Sequence, residues 1–246
     1  MKNICLVQAR LGSTRFPQKV IQTIHKDLTI IDLLFKRLSR SKYLDEIIFS
    51  IPDLSSDDKL ANLLNKKNII FKRGDPYDLI NRYMKTLEKY KNCNIIRITS
   101  DCPLVDPFWI DKSIKLFIEK ELTYCSNYTP AYLSKFCNGS DIEIFTKETL
   151  MKIDKNFKNK KDREHVTFPL WDGRLDVNSL NISTFIEKDI SDIRITIDYP
   201  EDLIVLKNLS KNLCLENASL YEIADEYRKQ KLDKINGMHS YNEGWK

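Results

Sequence analysis

Glycine is scarce. The 246 residues contain six, Gly12, Gly74, Gly139, Gly173, Gly237 and Gly244. No two are spaced for G-x-G-x-x-G, G-x-x-x-x-G-K or G-x-S-x-G, which excludes the dinucleotide fingerprint, the P-loop and the nucleophile elbow. A phosphate ligand would have to be held by side chains or by a loop with a single glycine. The six cysteines form no C-x-x-C pair and are irregularly spaced, and there are only three histidines, His25, His165 and His239. That leaves no zinc pattern and no disulfide framework; cysteines inside apolar runs read as small buried hydrophobes. Long apolar runs are also missing, and the first short one is broken by Gln8 and Arg10. Neither a signal peptide nor a membrane span is expected, and the chain reads as cytoplasmic.

What is present fits an ordinary globular protein. Apolar residues make up 42% and charged residues 30%, which argues against a disordered chain. At this length about three quarters of the unfolded surface can be buried without a metal or disulfide staple. A single domain over 1–232 is expected, with a polar, loosely ordered tail over 233–246. The net charge of +5 hints at an anionic ligand. Basic residues are interleaved with acids throughout, so no continuous nucleic-acid track is evident and no nucleic-acid partner is expected.

Strand and helix signals alternate. Apolar runs predict strands at Ile4–Val7, Ile47–Ile51, Ile69–Phe71, Ile95–Thr99, Tyr124–Cys125, Ile142–Phe145 and Ile193–Ile197. Helical spacing predicts a helix capped by Thr29, one over Ser55–Lys67, and one capped by Asp75 with Pro76 at its first position. Further helices are predicted from Asp106-Pro107 to Glu119, after Pro200, and after the Ser219/Glu222 capping box. Asp154–Asp162, rich in lysine and nearly free of apolar residues, reads as an exposed loop. The alternation implies an α/β, Rossmann-like, mostly parallel sheet with helices on both faces. Ligands of such sheets bind beyond the carboxyl ends of the strands, which singles out Gln8–Lys19, Ser100–Asp106 and Asp198–Pro200.

The first of these loops carries Arg10, Gly12, Ser13, Thr14, Arg15 and Lys19. Three cations, two hydroxyls and a glycine suit a triphosphate: cations neutralise it, and hydroxyls and N–H groups donate to it. A solvated basic loop is the other reading. Asp101 directly follows a predicted buried strand, where a carboxylate can hold magnesium together with phosphate oxygens and water; a turn-forming aspartate before proline is its alternative. Asp198 sits likewise after Ile197, or serves as a helix N-terminal acid. Two such aspartates at corresponding strand ends, facing a basic loop, are stronger evidence together than apart.

These residues resemble a known family. Gln8–Lys19 (QARLGSTRFPQK), Arg97–Pro107 (RITSDCPLVDP), Arg163–Thr167 (REHVT), Arg194–Leu203 (RITIDYPEDL) and the tail around Lys234–Trp245 (KINGMHSYNEGW) are similar to segments of SpsF-type cytidylyltransferases. More distantly they resemble CMP-KDO and CMP-sialate synthetases. The resemblance implies a nucleotide-diphospho-sugar transferase type of fold and a Mg2+-dependent transfer of CMP from CTP to a small anionic acceptor. That acceptor would be a sugar acid, a sugar phosphate or a similar compound of surface polysaccharide or glycoconjugate synthesis. By position, Gln8, Ala9, Arg10, Gly12, Ser13, Arg15, Lys19, Arg73, Arg82, Thr99 and Ser100 would bind the nucleotide. Arg15, Lys19 and Asp101 would be catalytic, and Asp101 and Asp198 would hold the metal. Asn127, Asp141, Glu143, Glu164 and His165 would face the acceptor. A homodimer is also implied.

Alternatives stand beside several of these. Arg82 could be a solvated helix arginine, His165 a packing histidine, and the face shared by Asp141 and Glu143 simply solvated. Ser100 departs from the glycine many relatives carry before the metal aspartate, so a side chain there is expected to narrow the nucleotide site. The Tyr128–Asn138 loop matches the family poorly. Two rival functions remain open to the sequence: a nucleotide-sugar glycosyltransferase, for which the usual D-x-D is missing, and a nucleotide- or RNA-binding regulatory module suggested by the pI of about 8.7.

Overall fold

The computed structural model describes residues 1–129 and 134–239. Its strands are β1 (Lys2–Gln8), β2 (Thr23–His25), β3 (Leu28–Thr29), β4 (Glu46–Pro52), β5 (Phe71–Gly74), β6 (Cys93–Thr99), β7 (Tyr124–Ser126), β8 (Glu143–Thr146) and β9 (Ser179–Asn181). Its α-helices are α1 (Ile30–Leu38), α2 (Asp58–Lys66), α3 (Leu79–Thr86), α4 (Pro107–Glu119), α5 (Lys147–Asn156), α6 (Lys160–His165), α7 (Phe168–Trp171), α8 (Pro200–Asn212), α9 (Leu220–Lys229) and α10 (Asp233–Asn236). Seven strands form one sheet in the order β5-β4-β1-β6-β8-β7-β9. β8 alone runs against its neighbours. This is the expected α/β, Rossmann-like, mostly parallel architecture.

Side-chain alternation along β1 explains why both faces are covered. Cys5 and Val7 pack with Leu33, Leu64, Ile110 and Leu206 from α1, α2, α4 and α8. Ile4 and Leu6 pack on the other face with Tyr83, Leu150 and Ile153 from α3 and α5. Cys5, Cys93, Cys102, Cys125 and Cys137 are buried free thiols, as read from the sequence, and Cys214 is exposed. No helix among the described residues is long and apolar enough to cross a membrane.

Several predicted elements move. β5 begins at Phe71, not Ile69, because pairing with Phe49–Pro52 requires Phe71–Gly74 opposite. α3 starts at Leu79 behind Asp78; Asp75 instead accepts from the Tyr77 and Asp78 N–H groups in a turn, both at 2.8 Å. The lysine-rich stretch 154–162 is largely helical. α5 runs to Asn156, and α6 starts behind Asn159, whose side chain accepts from Asp162 N–H at 2.9 Å. A cap and ion pairs, Arg163 with Asp154 and Asp78 and Arg174 with Asp162, supply there what apolar periodicity does not. Ile193–Ile197 makes one isolated bridge, Asn138 to Arg194, rather than a strand. Its neighbours are loops on both sides, which offer no ladder. Of the expected loose tail, Asp233–Asn236 is helical and Asn236 is fully buried; residues 240–246 lie outside the described residues.

Candidate active site

β1 and β6 pair in parallel with Gln8 opposite Thr99. That register delivers the basic loop after β1 and the Ser100-Asp101 pair after β6 to the same edge of the sheet, and Ser100 N–H donates to Gln8 carbonyl at 3.1 Å. The third segment is docked between two loops. Ile195 and Thr196 N–H both donate to Asn138 carbonyl (2.8 and 3.1 Å), and Ile197 N–H donates to Asp101 carbonyl (2.8 Å). Asp198 therefore arrives next to Asp101 although 97 positions separate them.

The basic loop is folded back on itself. Leu11 N–H donates to buried Asp57 at 2.7 Å, and Gln18 N–H returns to Leu11 carbonyl at 3.0 Å. Gln18 takes a left-handed φ of 57°, after which the chain enters the short helical turn Lys19–Ile21. Lys19 is 9% exposed. Its Nζ donates to Ile197 carbonyl (2.6 Å), to Asp198 Oδ1 (2.9 Å) and to Asp101 Oδ2 (3.4 Å). Arg15 Nη2 meets the same Asp198 oxygen at 2.8 Å. Burial pulls Lys19 down, but Asp101 and Asp198 more than offset that and hold the ammonium above its ordinary range. Arg15 is raised for the same reason, Asp198 overcoming burial. Burial pushes Asp101 up, while Lys19 and the Thr99 hydroxyl outweigh it, so its carboxylate lies below the usual value.

These groups wall a cavity of about 540 Å³ lined by Gln8, Ala9, Arg10, Ser13, Arg15, Lys19, Arg82, Thr99, Ser100, Asp101, Glu164, His165 and Asp198. Such a volume suits a nucleotide-sized ligand. Thr14, Pro76, Tyr77, Leu79 and Lys160 also line it; of these only Thr14 lies in a segment the sequence had marked. Lys160 falls in the run that reads in sequence as an exposed loop, and Tyr77 in the turn that reads as a helix start.

Arg82 is no solvated arginine. It is 6% exposed, and its Nε has no hydrogen-bond partner. Burial holds it below its ordinary pKa. Gly74 makes room for its stem, since a Cβ there would come 2.9 Å from Arg82 Cγ. His165 stacks on Phe168 with ring centres 4.4 Å apart. Burial lowers its pKa below the ordinary imidazole value against the opposing pull of Glu164. Val166 after it takes φ 55°, a strained value for a β-branched residue that turns the chain sharply between α6 and α7.

Other expected residues are placed elsewhere. Arg73 sits on edge strand β5 and spends its guanidinium on Pro52 carbonyl, Leu54 carbonyl and Asp58; it ties β4 to α2 and does not line the cavity. Gly12 is exposed, lies outside the lining, and a Cβ there would meet nothing within 4 Å. Asn127 is fully buried; its Nδ2 donates to Ser140 carbonyl and its Oδ1 accepts from Ile142 N–H, so it clamps a loop. Glu143 faces Arg97 across β8 and β6. It also accepts from Tyr124 and Trp171, so it is spent on a buried network, in which the Arg97 Nε has no partner. Part of the poorly matching Tyr128–Asn138 loop, residues 130–133, lies outside the described residues.

Asp141 precedes β8 and does not line this cavity either. Its Oδ1 is buried without a hydrogen-bond partner. Burial, then Asp101 and Glu143, push it up to about 7. The folded value exceeds the unfolded one of about 3.9, so the native state binds the proton more tightly and the group costs stability increasingly as pH rises from about 4 to about 7. Asp141→Asn is expected to raise the Tm of the metal-free protein. The gain should grow by on the order of 2 kcal/mol between pH 5 and pH 8. Equal gains at both pH values in thermal melts would show a solvated, ordinary carboxylate.

Whether the site suits a divalent cation can be judged from its donors. Asp101 and Asp198 share one cationic partner, Lys19, and keep 31% and 20% side-chain exposure toward the cavity. Two hard oxygen donors open to a polyphosphate are what magnesium takes, completing its shell with phosphate and water. Among the described residues there is no cluster of three or more His, Cys, Asp or Glu that could hold a metal without the ligand's help.

Comparison with known proteins shows what the whole chain is similar to. The sequence model described as cytidylyltransferase matches residues 4–232. The solved structure of a cytidylyltransferase from Leptospira borgpetersenii superposes with a TM-score of 0.86 at 30% identity, covering 98% of this chain and all of that one. An uncharacterized protein of Methanocaldococcus jannaschii, MJ1063, is 31% identical over 92% of this chain and 90% of its own. Two shorter matches are also 31% identical. The spore coat polysaccharide biosynthesis protein SpsF of Bacillus subtilis is matched over 50% of this chain and 53% of its own. The 8-amino-3,8-dideoxy-manno-octulosonate cytidylyltransferase of Shewanella frigidimarina is matched over 48% of each.

Proposed function

The chain belongs to the cytidylyltransferase family and is a CTP-dependent nucleotidyltransferase, and from that premise we propose that it joins CMP to a sugar acid or a similar anionic acceptor in surface polysaccharide or glycoconjugate synthesis, with magnesium at Asp101 and Asp198. The observation that carries this reading is the meeting of Arg15, Lys19, Asp101 and Asp198 at one cavity wall. The SpsF and octulosonate cytidylyltransferase relatives support the choice of acceptor class.

The acceptor oxygen attacks the α-phosphorus of CTP and pyrophosphate leaves. The acceptor supplies the nucleophile, so catalysis is positioning and charge neutralisation. Arg10, Arg15, Lys19 and Arg82 bind the triphosphate; the unpaired Nε of Arg82 is a donor waiting for an anion. Lys19 and Arg15, held in place by Asp101, Asp198 and the Ile197 carbonyl, offset the charge that builds on the departing pyrophosphate. Thr99 and Ser100 face the nucleoside. Glu164 and His165 line the wall of the same cavity, where they would face the acceptor. Magnesium held by Asp101 and Asp198 would supply Lewis-acid neutralisation of the phosphates.

The test is a pyrophosphate-release screen of the four nucleoside triphosphates against sugar acids, sugar phosphates and phosphonates, with and without magnesium. Release with CTP and a sugar acid only when magnesium is present is expected. Turnover confined to another nucleotide, or undiminished by chelator, would overturn the reading.

A further inference from the structure

The carboxy-terminal turn reaches the nucleotide site from behind. Asn236 Nδ2 donates to Arg194 carbonyl (3.1 Å) and to Asp202 Oδ1 (2.9 Å), while its Oδ1 accepts from the Tyr227 hydroxyl (2.7 Å). Asp202 also takes two guanidinium N–H groups of Arg194 (3.0 and 2.9 Å) and the backbone N–H groups of Asp198 (2.8 Å) and Tyr199 (2.9 Å). Asn236 thus completes the carboxylate that fixes the Asp198-Tyr199 backbone. Three residues on, the His239 ring lies flat on Tyr199, with centres 3.8 Å apart and planes 1° apart. The Arg15 guanidinium lies over that same Tyr199 ring at 5.2 Å while pairing with Asp198.

We propose that the turn Asn236–His239 is a positioning element of the nucleotide site, holding Tyr199 and Asp202 so that Arg15 stays aimed at a nucleoside triphosphate. The inference rests on the reading of Arg15 as a triphosphate ligand. Without the His239 ring stacked on it, Tyr199 would hold its face less firmly beneath the guanidinium, and the contact that aims Arg15 would weaken. The element acts through Arg15, so it should matter for the polyphosphate tail and little for the nucleoside. CTP should feel its loss and CMP should not.

Calorimetric titration of the full chain with CTP and with CMP, each in magnesium, tests this. His239→Ala is expected to weaken CTP binding about tenfold and CMP binding less than about twofold, and His239→Phe, which keeps a stacking ring, should return CTP affinity to within about threefold of wild type. Thermal melts of both variants register any loss of fold. An unchanged CTP affinity in His239→Ala, equal losses for CTP and CMP, or a His239→Phe protein as weak as the alanine variant would each overturn the inference. A wild type that binds neither nucleotide would instead overturn the nucleotide-site reading beneath it.

Discussion

Lys19→Ala is expected to lower turnover at saturating CTP by roughly a hundredfold or more, the loss typical of removing a donor that meets charge developing in the transition state. Lys19 differs from a surface lysine in that its ammonium is buried and its three donors are all directed at fixed oxygens. The longest of the three, the 3.4 Å contact to Asp101, is the one it can exchange for a phosphate oxygen as charge builds on the departing pyrophosphate, so its contribution should appear in kcat more than in KM. The variant should also be less stable without metal. Two carboxylates, Asp101 and Asp198, would then face each other with their shared cation gone, and Asp101 would rise from its depressed value. A depressed carboxylate contributes stability above its unfolded pKa and loses it as pH falls. The gap between wild type and variant should therefore be widest near pH 7 and close below about pH 4. Turnover within threefold of wild type, for a variant shown by melting to be folded, would remove Lys19 from the chemistry.

The parts of this site legible in the sequence share a physical cause. β1 and β6 are apolar runs that end abruptly in polar residues, and parallel sheets put ligands at such ends. Gln8–Lys19 and Asp101 could be found that way. For Asp198 the local pattern and the fold agree only in part. The alternation in Ile193–Ile197 reads as a strand, yet Arg194 and Thr196 are buried along with the isoleucines, at 8% and 5% exposure, because loops rather than solvent lie against them. Arginines were harder. Arg73 and Arg82 are nine positions apart and look alike in sequence, but one lies on an edge strand beside the exposed Asp58 and the other on the helix face that closes the cavity. Only tertiary packing separates them. The acids before and within β8 show the same limit. Alternation puts Asp141 and Glu143 on one face, while the antiparallel register that sets Glu143 against Arg97 is a long-range fact no local pattern carries. Asn236 and His239 belong to a tail whose polarity signals disorder, yet Asn236 bonds the buried Asp202 and Tyr227 and His239 stacks on Tyr199.

Gly139→Ala is expected to cost at least about 3 kcal/mol, close to a 10 °C fall in Tm for a chain of this size. Two penalties coincide there. The φ of 101° is one that side chains rarely adopt, and a Cβ would sit 2.2 Å from Thr196 N and 2.5 Å from Thr196 Cα. Those atoms are backbone, so no side-chain rotation relieves the clash. Two other glycines separate the terms. Gly173 has φ 75° but open space around a Cβ, so Gly173→Ala should carry only the conformational term, about 1 kcal/mol. Gly12 has neither a left-handed φ nor a neighbour within 4 Å, so Gly12→Ala should change stability by less than about 0.5 kcal/mol. The Gly139 clash also falls on the two hydrogen bonds from Ile195 and Thr196 to Asn138 carbonyl that deliver Asp198, two residues downstream, to Lys19 and Arg15. A residual folded population of Gly139→Ala should therefore bind CTP more weakly in calorimetry even at temperatures well below its midpoint. A Gly139→Ala protein as stable as Gly173→Ala, with wild-type CTP affinity, would show that this strand-like docking neither holds the fold together nor places Asp198.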